Sequence, residues 1–413
     1  MTKIWHQRLD LQLQQFYATA RLLLCVDQHL SLQRDILSLL WQIPFRIISV
    51  ILLCAGLAAV LAEHAKAAEI TTYIATQVDI IPMGSKRIAR AMNDSGDIVG
   101  TVKREDNRGP NGVIWKNGGQ LEIIKSQGGG DYSTASGINN RLKIVGSTNT
   151  DTGMHAFRLG QNGEPVLLEM LPGDTGSAAL AISGSGKVAG WSSGPTGVRA
   201  VIWSPAGEIL ALPALSISKS CRGLAINDNG DVAGVCDIDS GPRAVLWSGG
   251  SDKTALDLGT LPGDHWSEVL SINNKGDVVG TSGDEESNRY HAVLWPNGSA
   301  IKDLGTLPNQ TSSKALAINN KGTVVGVSSY NSEGHTSEER AFVWTNQRGM
   351  QDLNDLLLLS SGFVLSHAIA ISSHGIIAAI GHDKNASHDS HPHDTHELSL
   401  QIFRLNPQLD GSR

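Results

Sequence analysis

From residue 73 onward, hydrophobic positions fall in runs of four to six residues, rich in Val and Ile, and the runs are punctuated by Asn-x-x-Gly or Pro-Asn-Gly. Short apolar runs bounded by turn residues read as β-strands. The pattern also repeats. Ser271-Ile272-Asn273-Asn274-Lys275-Gly276-Asp277-Val278-Val279-Gly280 returns as Ala317-Ile318-Asn319-Asn320-Lys321-Gly322-Thr323-Val324-Val325-Gly326. After a variable stretch come His291-Ala292-Val293-Leu294-Trp295 and Arg340-Ala341-Phe342-Val343-Trp344. Lys302-Asp303-Leu304-Gly305-Thr306-Leu307-Pro308 then matches Leu256-Asp257-Leu258-Gly259-Thr260-Leu261-Pro262. The last glycine of the first element recurs at Gly100, Gly146, Gly190, Gly234, Gly280 and Gly326, with Ala379 in the final copy. These steps of 46, 44, 44, 46, 46 and 53 residues make seven repeats.

Each repeat predicts four antiparallel strands: a (Val269 to Asn273), b (Asp277 to Thr281), c (His291 to Trp295) and d (Ile301 to Leu307). Four strands in each of seven units predict an all-β fold, a seven-bladed β-propeller over residues 70–406. The last repeat stops after a c-like strand, Gln401 to Leu405, with no d strand behind it. Tyr73 to Ile81 precedes the first a strand and supplies the missing one. The N-terminal strand is therefore expected to close the ring, removing an open edge.

The motifs [HR]-A-[FV]-x-W, D-L-G-T-L-P-G and A-I-N-x-x-G-x-V-V-G resemble the HAF family of bacterial extracellular repeats, and His155-Ala156-Phe157 reproduces its tripeptide. The resemblance covers roughly residues 73 to 405. Departures are Leu142 in place of the turn Gly, Ser183 in place of Asn, and the divergent last repeat. The resemblance implies an exported repeat protein and brings no catalytic residues.

Composition agrees with many strands and turns. Charged residues are 18%, and Gly is 45 of 413, roughly 11% against a usual ~7%. The net charge of −7 divides into +2 for residues 1–67 and −9 for the remainder. An acidic body without clustered cations argues against a nucleic-acid partner. After Arg46 an apolar run, Ile47 to Ala62, leads to Ala65-Lys66-Ala67. A basic flank, an apolar run and an A-x-A site predict a signal peptide over 45–67, cut after Ala67, and an extracytoplasmic address: secreted, periplasmic or cell surface. An uncleaved anchor is the alternative, and only then is a membrane a partner; the run is shorter than the ~20 residues a bilayer needs. Residues 1–44 read as a loosely helical extension, explained by an over-extended gene start.

Several side chains carry candidate chemistry. Cys221 and Cys236 flank the turn Asn227-Asp228-Asn229-Gly230 symmetrically, where other repeats place Ser267 with Ser282, Ser313 with Ser328, Ser177 with Ser192 and Ser133 with Thr148. Facing each other, they form a disulfide in an oxidising compartment and stay two thiols elsewhere; bridged Cα atoms stand about 4.4–6.8 Å apart. Asn227 to Asp231 is a turn rather than a calcium loop, since it returns directly into strand b without the twelve-residue frame. Trp115, Trp203, Trp247, Trp295 and Trp344 read as packing between blades more than as ligand-stacking rings. No cofactor is expected. The single metal candidate is a His/Asp-rich loop over 382–397, where His382, His388, His391, His393 and His396 lie with Asp383, Asp389 and Asp394; the spacing matches no tetrahedral template, so it holds a divalent ion weakly or is a solvated insertion.

Strand order places the variable b–c and d–a connections on one face. That face collects the candidate binding residues Asp131, Tyr132, Asp174, Asp264, His265, Trp266, Tyr290, Tyr330 and His335. H-E-x-x-H and phosphate-cradling loops are absent from the sequence. Two functions are compatible: a monomeric, non-enzymatic binding or scaffold module for a glycan, peptide or protein partner, and a propeller hydrolase or lyase with Asp and His from several blades meeting at the channel mouth.

Overall fold

The computed structural model describes residues 71–78, 87–103, 109–126, 131–248, 254–284, 289–330, 338–359, 362–384 and 400–408. The extension, the signal segment and most of the His-rich loop lie outside them. The described residues form seven four-stranded antiparallel sheets, a seven-bladed β-propeller. In blades 1 to 6 the strands run in chain order, and in blade 7 the outermost strand is Thr72–Gln77, from the other end of the chain. It pairs from Thr72↔Gln408 to Gln77↔Phe403, and the Val78 N–H donates to the Ile402 carbonyl at 2.9 Å. The expected closure is borne out there; residues 79–86 lie outside the described set.

Strands a, b and c reach further toward the variable face than their apolar runs suggest, and strand d is shorter. In blade 5 they are Trp266–Ile272, Val278–Asp284, Arg289–Trp295 and Lys302–Asp303. The expectation of strand d to Leu307 is corrected by an Asx turn: Asp303 Oδ1 accepts the Gly305 N–H at 2.7 Å, Gly305 sits at φ 75°, and the chain peels off the sheet. Beyond Asp303 the chain serves the core instead, with Leu304 and Leu307 buried beside Val279, Ala315 and Phe342.

The hydrophobic core is divided among the junctions. Seven clusters each join residues of two adjacent blades; Val279 and Ala292 of blade 5 with Val324 and Trp344 of blade 6 are one example. All five repeated Trp side chains are buried in such clusters, as the packing reading requires. The paired Ser residues act outward rather than on each other. Ser133, Ser177, Ser267 and Ser313 Oγ accept N–H groups from strand c of the preceding blade at 2.8–3.0 Å. Ser192, Ser282 and Ser328 Oγ accept from Leu171, Leu261 and Leu307 of the incoming loops. In blade 4 both positions are cysteine. Cys221 faces Cys236 in register and the two are disulfide-bonded with Cα atoms 4.1 Å apart, slightly below the expected range and near the spacing of a narrow antiparallel pair.

The repeated glycine answers to a β-bulge. Every strand a shifts register by one residue next to it, for example between Val269 and Ser271. The bulge turns a carbonyl against strand b, so a Cβ at Gly146 would fall 1.8 Å from the Thr134 oxygen and one at Gly280 would fall 1.9 Å from the Glu268 oxygen. Blade 7 is the exception that fits. It has two bulges, the close approach moves to Gly381, and Ala379 is accommodated. Leu142, in place of a turn glycine, adopts the left-handed φ of 56°.

Gly280→Ala is expected to lower stability by about 3 kcal/mol, because the neighbour is backbone and cannot rotate away. Ala379→Gly should cost less than about 1 kcal/mol, the ordinary strand penalty. Urea unfolding of the two variants measures the contrast.

Candidate functional site

The seven inner strands line a channel whose waist carries Ile138, Ile182, Ile226, Ile272, Ile318 and Ile371 beside Leu180, Leu224, Leu270 and Leu316, with Arg90 and Ser136 at the Leu position in blades 1 and 2, around a cavity of about 220 Å³. This waist separates two polar ends of different character.

At the a–b turn end, Asn side chains do two things. Asn319 Oδ1 accepts the Lys321 and Thr323 N–H groups of its own turn, both at 3.0 Å. Its Nδ2 donates to the Ser372 carbonyl of blade 7 at 3.2 Å. Asn139, Asn227 and Asn273 reach Ser183, Asn273 and Asn319 in the same way. At the remaining junctions the next residue takes over: Asn140 Nδ2 donates to Asp94, Gly184 N–H to Asp228 Oδ1, and Ser373 N–H to Asp94 Oδ1. All seven junctions are therefore hydrogen-bonded at this rim. Burial raises the Asp94 carboxyl, but the bonds from Ser373 and Asn140 outweigh it and leave it below the ordinary value. Its acceptors are spent on structure.

At the variable end the chemistry sits on strand a itself, one residue before the bulge. That position reads Ile88, Thr134, Ala178, Arg222, Glu268, Lys314 and His367 from blade 1 to blade 7. Blades 1 to 3 thus present apolar or small side chains, and blades 4 to 7 an arc of charge. Arg222 pairs with Asp237 at 3.1 Å, and Ser220 Oγ donates to the same carboxylate oxygen. Lys314 Nζ lies 4.7 Å from the centroid of the Tyr290 ring, whose hydroxyl is 3.4 Å from Ser329 Oγ. His367 Nε2 is 3.7 Å from Glu339 Oε2. Burial pushes the Glu268 carboxyl up despite the nearby Lys314 ammonium. Burial also pushes the His367 imidazole down, with Lys314 adding to the effect and Glu339 opposing it.

Of the residues expected here from sequence, Tyr290 joins the arc. Asp174 and Asp264 are engaged in packing the loops: their side chains are nearly buried, they accept from Ser192 and Ser282 at 2.6 and 2.7 Å, and Arg199 lies 2.6 Å from Asp174. His265 is exposed with Nδ1 3.0 Å from Asp284, Trp266 covers Gly283, and Tyr330 and Asp131 are exposed. The Tyr132 carbonyl accepts from Asn149 and Thr148. His335 lies outside the described residues, as do His388, His391, His393 and His396. His382 belongs to strand b of blade 7 rather than to a loop, since it pairs with Val364. Among the described residues no group of His, Cys, Asp and Glu is arranged to hold a metal ion. Sequence reasoning from loops missed Arg222, Glu268, Lys314, His367 and Glu339; the signal of the first four was a fixed position on strand a whose residue varies from repeat to repeat.

Glu268→Gln is expected to raise the melting temperature at pH 8. A folded-state pKa above the unfolded value means that the ionised carboxylate costs stability at high pH, and the amide removes that cost. The gain should vanish below the unfolded value of about 4.3. Thermal unfolding of both proteins from pH 3.5 to 8 checks the sign.

No family model and no curated protein matches the chain. Among solved structures it is similar to TolB from Acinetobacter baumannii, at 11% identity and TM-score 0.44, over 63% of this chain and 63%, less than two thirds, of that one. It is similar to a catalytically inactive virginiamycin B lyase from Staphylococcus aureus with quinupristin, at 9% identity and TM-score 0.47, over 81% and 99%. It is also similar to the RRP9 WD40 repeats, at 11% identity and TM-score 0.47, over 82% and 100%. Likeness at these identities reaches no further than the architecture.

Proposed function

We propose that this chain is an exported, non-enzymatic binding or scaffold propeller of the HAF-repeat kind, which takes a glycan, peptide or protein partner on its variable-loop face. The observation that carries the reading is the arc of Arg222, Glu268, Lys314 and His367. At one register position of a repeat otherwise held constant, four adjacent blades carry four different titratable side chains, whereas the opposite rim spends its polar groups on the ring. The Cys221–Cys236 disulfide supports an oxidising, extracytoplasmic compartment. The signal-peptide reading of 45–67 agrees with it. A hydrolase or lyase is the second reading, favoured by one feature: Glu268 and His367 are held away from their ordinary pKa values close to the same ammonium.

The test is a panel of immobilised glycans and peptides, combined with hydrogen-exchange footprinting of the complex. Retention of a ligand that protects the starts of the inner strands in blades 4 to 7 is expected. Protection confined to the a–b turn end contradicts the reading, and chemical turnover of the retained ligand replaces it with the enzymatic one.

A further inference from the structure

Lys314 is a half-buried cation. It has no ion-pair partner among the described residues, and its neighbours are the Tyr290 ring, Glu268 and His367. Contact with the ring face contributes about 0.5–2 kcal/mol, which does not replace a counter-ion for a partly desolvated ammonium. Glu268 lies close enough to act on the Lys314 charge but forms no ion pair with it.

A second group at the junction of blades 5 and 6 is also unsatisfied. Thr281 is 1% exposed and its Oγ1 has no hydrogen-bond partner. It stands directly opposite Glu268 in the ladder. Directly opposed residues share one face of the sheet, so the hydroxyl lies on the same face as the Glu268 side chain. The same pair in blade 2, Thr134 and Ser147, satisfies itself with a hydroxyl–hydroxyl bond of 2.9 Å. Thr101 of blade 1 is also unpartnered, but it faces Ile88 and has no lysine at its strand position.

We propose that Lys314 and Thr281, beside the Tyr290 ring, form a carboxylate seat whose occupant is an acidic side chain of an extended peptide. The inference rests on the binding reading of this face. An ammonium and a hydroxyl donor suit a carboxylate, because charge-assisted hydrogen bonds are the strong ones. A peptide is favoured over a sugar acid by the rest of the mouth: Ile88, 46% exposed, offers an apolar contact that alternating side chains fill and hydroxyl-rich sugars do not.

The experiment is selection of a random heptapeptide library on the full chain, with the Lys314→Met variant as counter-selection. Selected peptides are expected to carry Asp or Glu next to an apolar residue. Their affinity should fall at least about tenfold on Lys314→Met, and equally when the peptide's acid is replaced by its amide. Lys314→Arg should restore most of it, and Thr281→Val should lose part. Lys321→Met, on an exposed turn at the other rim, should leave binding intact, with melting curves confirming that each variant folds. Peptides lacking an acid, or binding Lys314→Met equally well, overturn the seat; if they still footprint on the variable face, the broader reading survives. Trigalacturonate binding with the same Lys314 dependence, in the absence of any selected peptide, overturns the peptide assignment alone.

Discussion

The structure depends on hydrogen bonds between neighbouring blades at the a–b turns. Within a blade every strand pairing is between chain neighbours, apart from the closing strand, so the sheets are made by local hairpins. What local pairing does not determine is where one blade stops against the next. The turn asparagine does: its carbonyl oxygen caps its own turn and its amide nitrogen reaches the next blade's backbone. Hydrophobic clusters then fill each junction, and because every cluster takes residues from two blades, no blade has a complete core alone. Pairing Thr72–Gln77 with Gln401–Gln408 extends the same logic to the two chain ends.

The second constraint links this frame to the site. The bulge that curves each inner strand presses a carbonyl onto strand b, which forces glycine there. Glycine is fixed, but the residue whose carbonyl makes the contact is free to vary, because only its backbone is used. Arg222, Glu268 and Lys314 are those residues in blades 4, 5 and 6. The ring can thus change its charged mouth without touching its packing.

This division explains what could be read from the chain. Gly280, Asn273, Trp295 and Leu307 repeat because packing repeats, so blade number, closure and the Cys221–Cys236 register were legible. The inter-blade role of Asn319 was hidden behind its sufficient explanation as a turn residue. Strand d was over-extended because Leu304 and Leu307 are apolar for a core outside the sheet. The expected site residues came from loops, where Asp174 and Asp264 turned out to brace the chain through Ser192 and Ser282. The charged arc lies within strands whose strong repetition drew attention to what stays the same.

Asn319→Asp tests the ring most directly, because it keeps the oxygen that caps the turn and removes only the donor to Ser372. Urea unfolding should show a loss of about 1 kcal/mol, the worth of one hydrogen bond, since the Ser372 carbonyl keeps the Gly375 N–H, while the Thr323 amide stays protected from exchange. An unchanged urea midpoint would contradict the account, since the junction would then stand without the bond assigned to hold it.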